Sequence, residues 1–528
     1  MNSADHAPDW ATRIAASAQT GSVLHLGSVA PDDVLSTEML NEYCGAIPTI
    51  PASAIRAVIV GEHATFDPRG LRIHRAHISG YLDLDHIDID YPLHFVACTF
   101  DADISLKRAK IPELALHDSH TQNINLNGTT INGDLYASKL TTHGEMTAVR
   151  AQFDGSFDLE GAVLHNPGKR VLTLNSASVD GGIYADKLTT YGEISAIGVQ
   201  IGSQLELRDS QLNNPDGTVI TLDGATVTRG VYAERMIAKG VFNAPALKTD
   251  LDVNLHNATI NNGDDFSLFL QSATIGQLIL LPAGPVNVNL GSTKIATLVT
   301  PENAEPAGTL IATGWELGDI HGKIRTDHRA AHRWIDTRSK KNTKPQPWQA
   351  IATVYERNGH PDKARRMRFT AANKVTRSSP HHSKPLRWLY LAIAGHGYYP
   401  LIAVIWLAAT IAAGFVLVET NREHFIPTST AAAQQSAAAH AITTGQEPPA
   451  PISAAVPCEL YPDYPCFDAT SYTLNTFIPT ATGVIRPDWA VHANAPIPLK
   501  AGLPALRITA WILTALIIAG VTGLLRKH

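Results

Sequence analysis

Three stretches of this chain copy one another: INGDLYASKLTTHGEM, VDGGIYADKLTTYGEI and VTRGVYAERMIAKGVF. Their tyrosines, Tyr136, Tyr184 and Tyr232, lie 48 residues apart each time. Inside this long repeat runs a shorter one, an apolar-x-apolar triplet that returns roughly every 10–11 residues with occasional longer insertions. It can be followed from Leu71/Ile73, Leu82/Leu84 and Leu93/Phe95, through Leu135/Ala137, Phe157/Leu159, Ile183/Ala185 and Leu205/Leu207, to Val288/Leu290. Alternation with period two makes each triplet a short strand with two side chains facing inward. Gly, Asn, Asp and Ser between the triplets supply turns and left-handed conformations. A β-sandwich does not hold such spacing for roughly 250 residues. The pattern therefore predicts a mainly β chain, a parallel β-solenoid over 61–321, with two triplets in each coil of roughly 21–22 residues.

An open solenoid end exposes apolar side chains and a strand edge, so both ends need covers. Within the N-terminal segment 1–60, Ala52–Val60 (ASAIRAVIV) reads as a short capping helix. At the other end the pattern fades near Ile320. Residues 322–388 then change to helix-like spacing and carry about 17 Lys and Arg against about 4 Asp and Glu. Within this basic connector, 345–375 resembles a tetratricopeptide-type helical hairpin. Trp348, Tyr355, Ala364 and Ala371 stand at its contact positions, and Gly359-His360-Pro361 form the turn. Such a hairpin cannot bury its own apolar face, so it is expected to pack on the solenoid end or on a partner.

The run Pro400–Val418 has no charged residue. As a helix it is roughly 27–29 Å long, close to the hydrocarbon thickness of a bilayer. Trp388, Tyr390, Tyr398 and Tyr399 stand before it as interfacial aromatics. A first transmembrane helix over 389–418 and a second over 503–525 are expected, with Arg507 snorkelling from the first turn of the second. The basic segment precedes the first span and Arg526-Lys527 follow the second, in the tail 526–528. The intervening loop, 419–502, is acidic. The positive-inside rule then places both termini and the solenoid in the cytosol, on a multi-pass plasma-membrane protein. Thr428–Val456, rich in Ala, Gln, Ser and Pro, reads as a flexible tether. Cys458 and Cys466, eight apart across PCELYPDYPC, are a candidate disulfide outside the cell. Cys44 and Cys98 are expected to be buried reduced thiols.

Composition narrows the function classes. At 528 residues and 44% hydrophobic, the chain is too long for one small domain and too apolar for general disorder. Four cysteines exclude a disulfide framework or a Cys-rich metal protein. A net charge of -6 argues against nucleic-acid binding through bulk charge. The start, MNSADHAPDW, lacks the pattern of a signal peptide. Asp83, Asp85, Asp88 and Asp90 lack the glycine pattern of calcium-loaded β-rolls, so no metal site is expected there. His74, His77, His86 and His94 read as turn and surface histidines. GAVLHNPGK (Gly161–Lys169) has glycines seven apart and Arg170 where a phosphate loop needs Ser or Thr, and reads as a turn insertion between coils. No dinucleotide, zinc-protease or nucleophile-elbow motif occurs. Catalytic and cofactor-binding residues, and any cofactor, are therefore unknown at this stage.

GLRIHRAHISGYLDLDHIDIDYPLHFVACTF, the later coils, PWQAIATVYERNGHPDKARRM and YTLNTFIPTATG together resemble an actinobacterial family of pentapeptide-repeat-like, two-span membrane proteins. The resemblance covers the chain from about Ile55 onward. Members are often labelled "membrane-associated oxidoreductase", so the resemblance implies redox chemistry, although it supplies no catalytic motif to carry over. The low-complexity tether and the cysteine pair depart from it. Three functions stand side by side. A membrane-anchored scaffold would bind a protein partner on the solenoid face. An oxidoreductase follows from the family label. A two-span channel would need a homo-oligomer, with SYTLNTFIPTATGVIRP as a pore helix and filter that lacks the usual Gly-Tyr-Gly ladder.

Overall fold

The computed structural model describes residues 9–25, 49–61, 66–263, 265–337, 344–449, 451–478 and 488–522. Cys44, Thr480–Val484 and Arg526-Lys527 lie outside them. The chain divides into two compact units, Met1–Met367 and Arg368–His528.

The first unit is a parallel β-solenoid of about 11 turns with helices at both ends. One inward column runs Leu71, Leu93, Leu114, Leu135, Phe157, Ile183, Leu205, Val231, Val253, Leu278, Leu298, Ile320, each the registered partner of the next. Both members of every triplet named above are buried. Each coil holds more than two triplets, however. Two further short strands intervene, such as Thr99–Phe100 and Lys110–Ile111, with a small-x-apolar pattern that apolar periodicity does not register. Between Leu106 and Ile131 one set of buried side chains recurs every five residues, Leu106, Ile111, Leu116, Thr121, Leu126 and Ile131, and a second buried set, Ala109, Leu114, Ser119, Ile124 and Thr129, stands two positions before each of the last five.

The 48-residue repeat is two coils. Leu135 pairs with Phe157, 22 residues on, and Phe157 with Ile183, 26 on; the longer coil holds the insertion. Inward side chains alternate in size along the axis. Ala137 and Ala148 are followed by Leu159 and Leu174, then Ala185 and Ala196, then Leu207 and Leu222, all buried. Large residues of one coil thus meet small ones of the next. The insertion at GAVLHNPGK is a side turn within the strand Val163–Thr173, at a shift of register. Asn166 Nδ2 closes it on the Arg170 carbonyl at 2.7 Å, and Asn214 repeats that bond to Thr218 at 2.7 Å. Asn262, a further 48 residues on, repeats it to Phe266.

Several inward positions hold threonine. The hydroxyls of Thr121 and Thr190 are fully buried and make no hydrogen bond, whereas Thr129 Oγ1 donates to the Leu106 carbonyl at 2.6 Å. A buried unpaired hydroxyl costs about 1–3 kcal/mol. Thr190→Val keeps the shape and is expected to stabilise the surrounding coils by about 1 kcal/mol. Thr129→Val is expected to do the reverse. Amide hydrogen exchange on the whole protein in detergent checks both; equal protection in the two variants would refute the assignment.

At the N-terminal end Ala52–Val60 is a helix that buries Ala52, Ile55 and Val58. Arg56 reaches the Asp83 carbonyl and pairs with its carboxylate at 3.4 Å. A second helix, Trp10–Thr20, packs on it, with Asp9 as N-cap. At the far end, the helices His328–Ile335 and Gln346–Arg357 lie against the last coils. Trp315, fully buried, meets Trp334 at 6.2 Å; Gln346 bonds the Trp315 carbonyl, and Asn358 bonds Asp319 at 2.7 Å. The first hairpin helix is thus part of the C-terminal cover. The second, Pro361–Ser378, follows the turn at Gly359.

The second unit corrects two expectations. The run from 389 to 418 is two helices, Lys384–Ala394 and Leu401–Thr420. Gly395 and His396 take left-handed conformations, φ 53° and 56°, and Pro400 precedes the new helix. Apolar character continues across that break, and so hid it. The second long helix is Ile497–Val521, starting six residues before the expected Leu503. The two long helices pack together with Gly520 against Pro400 and Gly502 against Leu417, so they run antiparallel. Second, the expected tether contains a helix, Thr430–Thr444, with Ala433, Ser436 and Ala437 buried. Alanine has the highest intrinsic helix propensity, which the low-complexity reading overlooked. This segment joins a small core of Phe425, Tyr461, Tyr464, Phe477 and Trp489. The antiparallel pair Phe425–Pro427/Trp489–Val491 and the disulfide Cys458–Cys466, Cα atoms 5.5 Å apart, brace it.

Candidate functional site

The solenoid's most distinctive surface lies beside the inward column of Leu135, Phe157 and Ile183. Next to these residues the outward register runs Tyr136, Asp158, Tyr184, Glu206, Tyr232, Asn254. Rungs are about 4.8 Å apart, so half-buried tyrosines recur every roughly 9–10 Å with a carboxylate between them. The 48-residue repeat places them there: two coils per repeat return each tyrosine to the same face.

Neighbouring columns fix these groups. Tyr136 donates to Asp134 at 2.8 Å; that bond and partial burial push its phenol up to about 12. The His117 ring stands 5.3 Å from Tyr136, and its Nδ1 is 2.6 Å from Ser138 Oγ. Burial holds His117 below the ordinary imidazole range. His94 pairs with Glu113 at 2.7 Å. Further along, Arg208 lies among Glu206 (2.9 Å), Glu234 (3.2 Å) and Asp186 (3.6 Å), 5.1 Å from the ring of Tyr232. Sequence reasoning missed this cluster; its only trace is Glu206-x-Arg208, which assembles with Asp186 and Glu234 only when coils stack.

The adjoining corner carries residues in left-handed conformation, among them Asp118, Lys139, Lys187, Asp209 and Arg235. Lys139, Lys187 and Arg235, 48 apart, pair with Asp118 (3.8 Å), Glu160 (2.9 Å) and Asp209 (2.6 Å) of the coil before. Such exposed pairs contribute little stability each. They do hold the charges in fixed places. The face is a rigid array of phenols and carboxylates, with acidic groups in excess.

Several of the other residues singled out in the sequence have structural partners. Asp85 Oδ1 accepts from Lys107 N at 2.8 Å, Asp83 pairs with Arg56, and Asp88 pairs with Lys110 at 3.3 Å. His77 faces Thr49 and Asp101, and His86 occupies a left-handed corner. Among the described residues no three His, Cys, Asp or Glu side chains are grouped to hold a metal ion. Cys98 is fully buried with Sγ 3.4 Å from the Ile73 carbonyl, and burial pushes its thiol up to about 12. Cys98 is expected to resist alkylation at about pH 8 until the coils are denatured, because only the thiolate reacts. Peptide mass spectrometry reads this directly, and native-state modification of Cys98 would show that the stack opens.

These features define a parallel β-solenoid protein with two helices long and apolar enough to cross a membrane, Leu401–Thr420 and Ile497–Gly520. Comparison with known protein families, curated proteins and solved structures returned no match.

Proposed function

We propose that the protein is a membrane-anchored scaffold whose solenoid binds a protein partner on the tyrosine–carboxylate face. The observation that carries this reading is the array Tyr136/Asp158/Tyr184/Glu206/Tyr232, repeated at fixed spacing on a stack held from inside. Aromatic side chains on a rigid frame contribute large contact area at low entropic cost. The surplus of carboxylates favours a partner that presents Lys and Arg. The five-residue inward spacing from Leu106 to Ile131 supports kinship with pentapeptide-repeat proteins.

In this reading the two long helices span the plasma membrane. The basic segment before Leu401 keeps the solenoid and both termini cytosolic, and the disulfide-braced unit between the helices faces outward. Photo-crosslinking at Tyr184 in native membranes tests the partner. A discrete adduct is expected, lost when Tyr136 and Tyr232, on either side of the probe, are both changed to serine. An unchanged adduct in that variant would remove the face from the proposal. The ultraviolet–visible spectrum of the purified protein tests the family label: stoichiometric flavin or haem bands would replace the scaffold by an oxidoreductase.

A further inference from the structure

The outward unit contains one helix in an unusual position for a loop. Ala469–Phe477 (ATSYTLNTF) starts at Asp468, whose carboxylate accepts from Thr470 N at 3.2 Å and Ser471 N at 2.8 Å. No charged side chain follows until beyond Ile478. The helix packs against both long helices. Its last residue, Phe477, is fully buried, and the ring lies where a Cβ on Gly414 would be, at 2.5 Å. Gly414 is six residues before the end of its helix at Thr420, roughly 9 Å along the axis. By Trp489 the chain is back beside Pro427 in the two-stranded sheet.

We infer that Ala469–Phe477 is a half-helix that enters the outer leaflet and presents Leu474 and Ile478 to lipid acyl chains. The inference rests on the reading that Leu401–Thr420 crosses the membrane. Given that crossing, the depth of Phe477 follows from its contact with Gly414. Leu474 and Ile478 are 40% and 36% exposed, while the adjoining stripe of the helix, at Thr473 and Phe477, is buried in protein. The chemistry suits that place. A helix satisfies its own backbone groups, and its one charge, Asp468, stays at the entry end, where it caps the first turn. On the same long helix Phe415 and Val416 are also exposed.

A nitroxide placed at Leu474→Cys in liposomes reads the environment, through broadening by oxygen, which enters lipid, or by a water-soluble nickel chelate. Ile405→Cys on the first long helix, 71% exposed, and Ile442→Cys on the loop helix, 85% exposed, are the references. The label at Leu474 is expected to behave like that at Ile405, with broadening by the chelate lost. Oxygen-dominated broadening at Ile405 but chelate-dominated broadening at Leu474, as at Ile442, would overturn the half-helix and leave the spans standing. Chelate access at Ile405 would overturn the spans, and the half-helix with them. Ile478→Cys repeats the measurement at a second exposed site, so that misfolding of one variant does not decide it.

Discussion

Phe157→Ala is expected to lower the stability of the central coils by about 3–5 kcal/mol, the range for deleting a large aromatic side chain from a packed interior. Phe157 is fully buried, stacks on Phe153 with ring centroids 5.6 Å apart, and is paired in register with Leu135 below and Ile183 above. The deletion leaves a cavity that hydrogen-bonded rungs on both sides prevent from collapsing. A solenoid couples each coil mainly to its neighbours, so the effect is local. Hydrogen exchange is expected to accelerate at Tyr136 and Tyr184 and to stay unchanged around Leu298 and Ile320. Uniform acceleration along the stack would show that the solenoid unfolds as one block, contrary to the nearest-neighbour picture.

Gly230→Ala is expected to cost roughly 3–5 kcal/mol, from two penalties that act together. Gly230 has φ 135°, a conformation L-residues rarely adopt, and a Cβ there would stand 2.4 Å from the Asp252 carbonyl oxygen. That oxygen belongs to the next coil, in the strand registered on Gly230, so it cannot move without breaking the rung. Gly224→Ala is the control. Its φ is 63° with open space around it, so only the backbone penalty applies, about 1 kcal/mol. Thermal melts of both variants in detergent separate the two costs. Equal losses would mean that the close approach to Asp252 contributes nothing.

Much of the solenoid was readable because its rules are local. A triplet such as Leu135/Ala137 needs only alternation and a turn to declare a short inward strand. The 48-residue spacing of Tyr136, Tyr184 and Tyr232 needs no structure to be seen. The intermediate strands were invisible for the same reason. Several of their inward positions hold Ser119, Thr121 or Thr129, which apolar periodicity does not count, yet the side chains face the same core. In the second unit, continuous apolar character masked the break at Gly395 and His396. Low complexity masked the helix Thr430–Thr444, because composition does not say whether alanines find a surface to cover.

The tyrosine–carboxylate face divides along the same line. Repetition determined that the tyrosines share a surface, since two coils of the stack return each to the same side. Stacking alone brought Arg208 among Asp186, Glu206 and Glu234, residues from three successive coils, and turned Lys139, Lys187 and Arg235 toward acids of the coil before. By itself the sequence determined a parallel stack of short strands, its approximate coil length and two long apolar segments, because each follows from periodicity or length within a few residues. The tertiary structure decided which charges neutralise one another, where the end helices sit and how far Phe477 reaches along the first long helix. Those depend on distances between residues tens of positions apart, and only packing sets them.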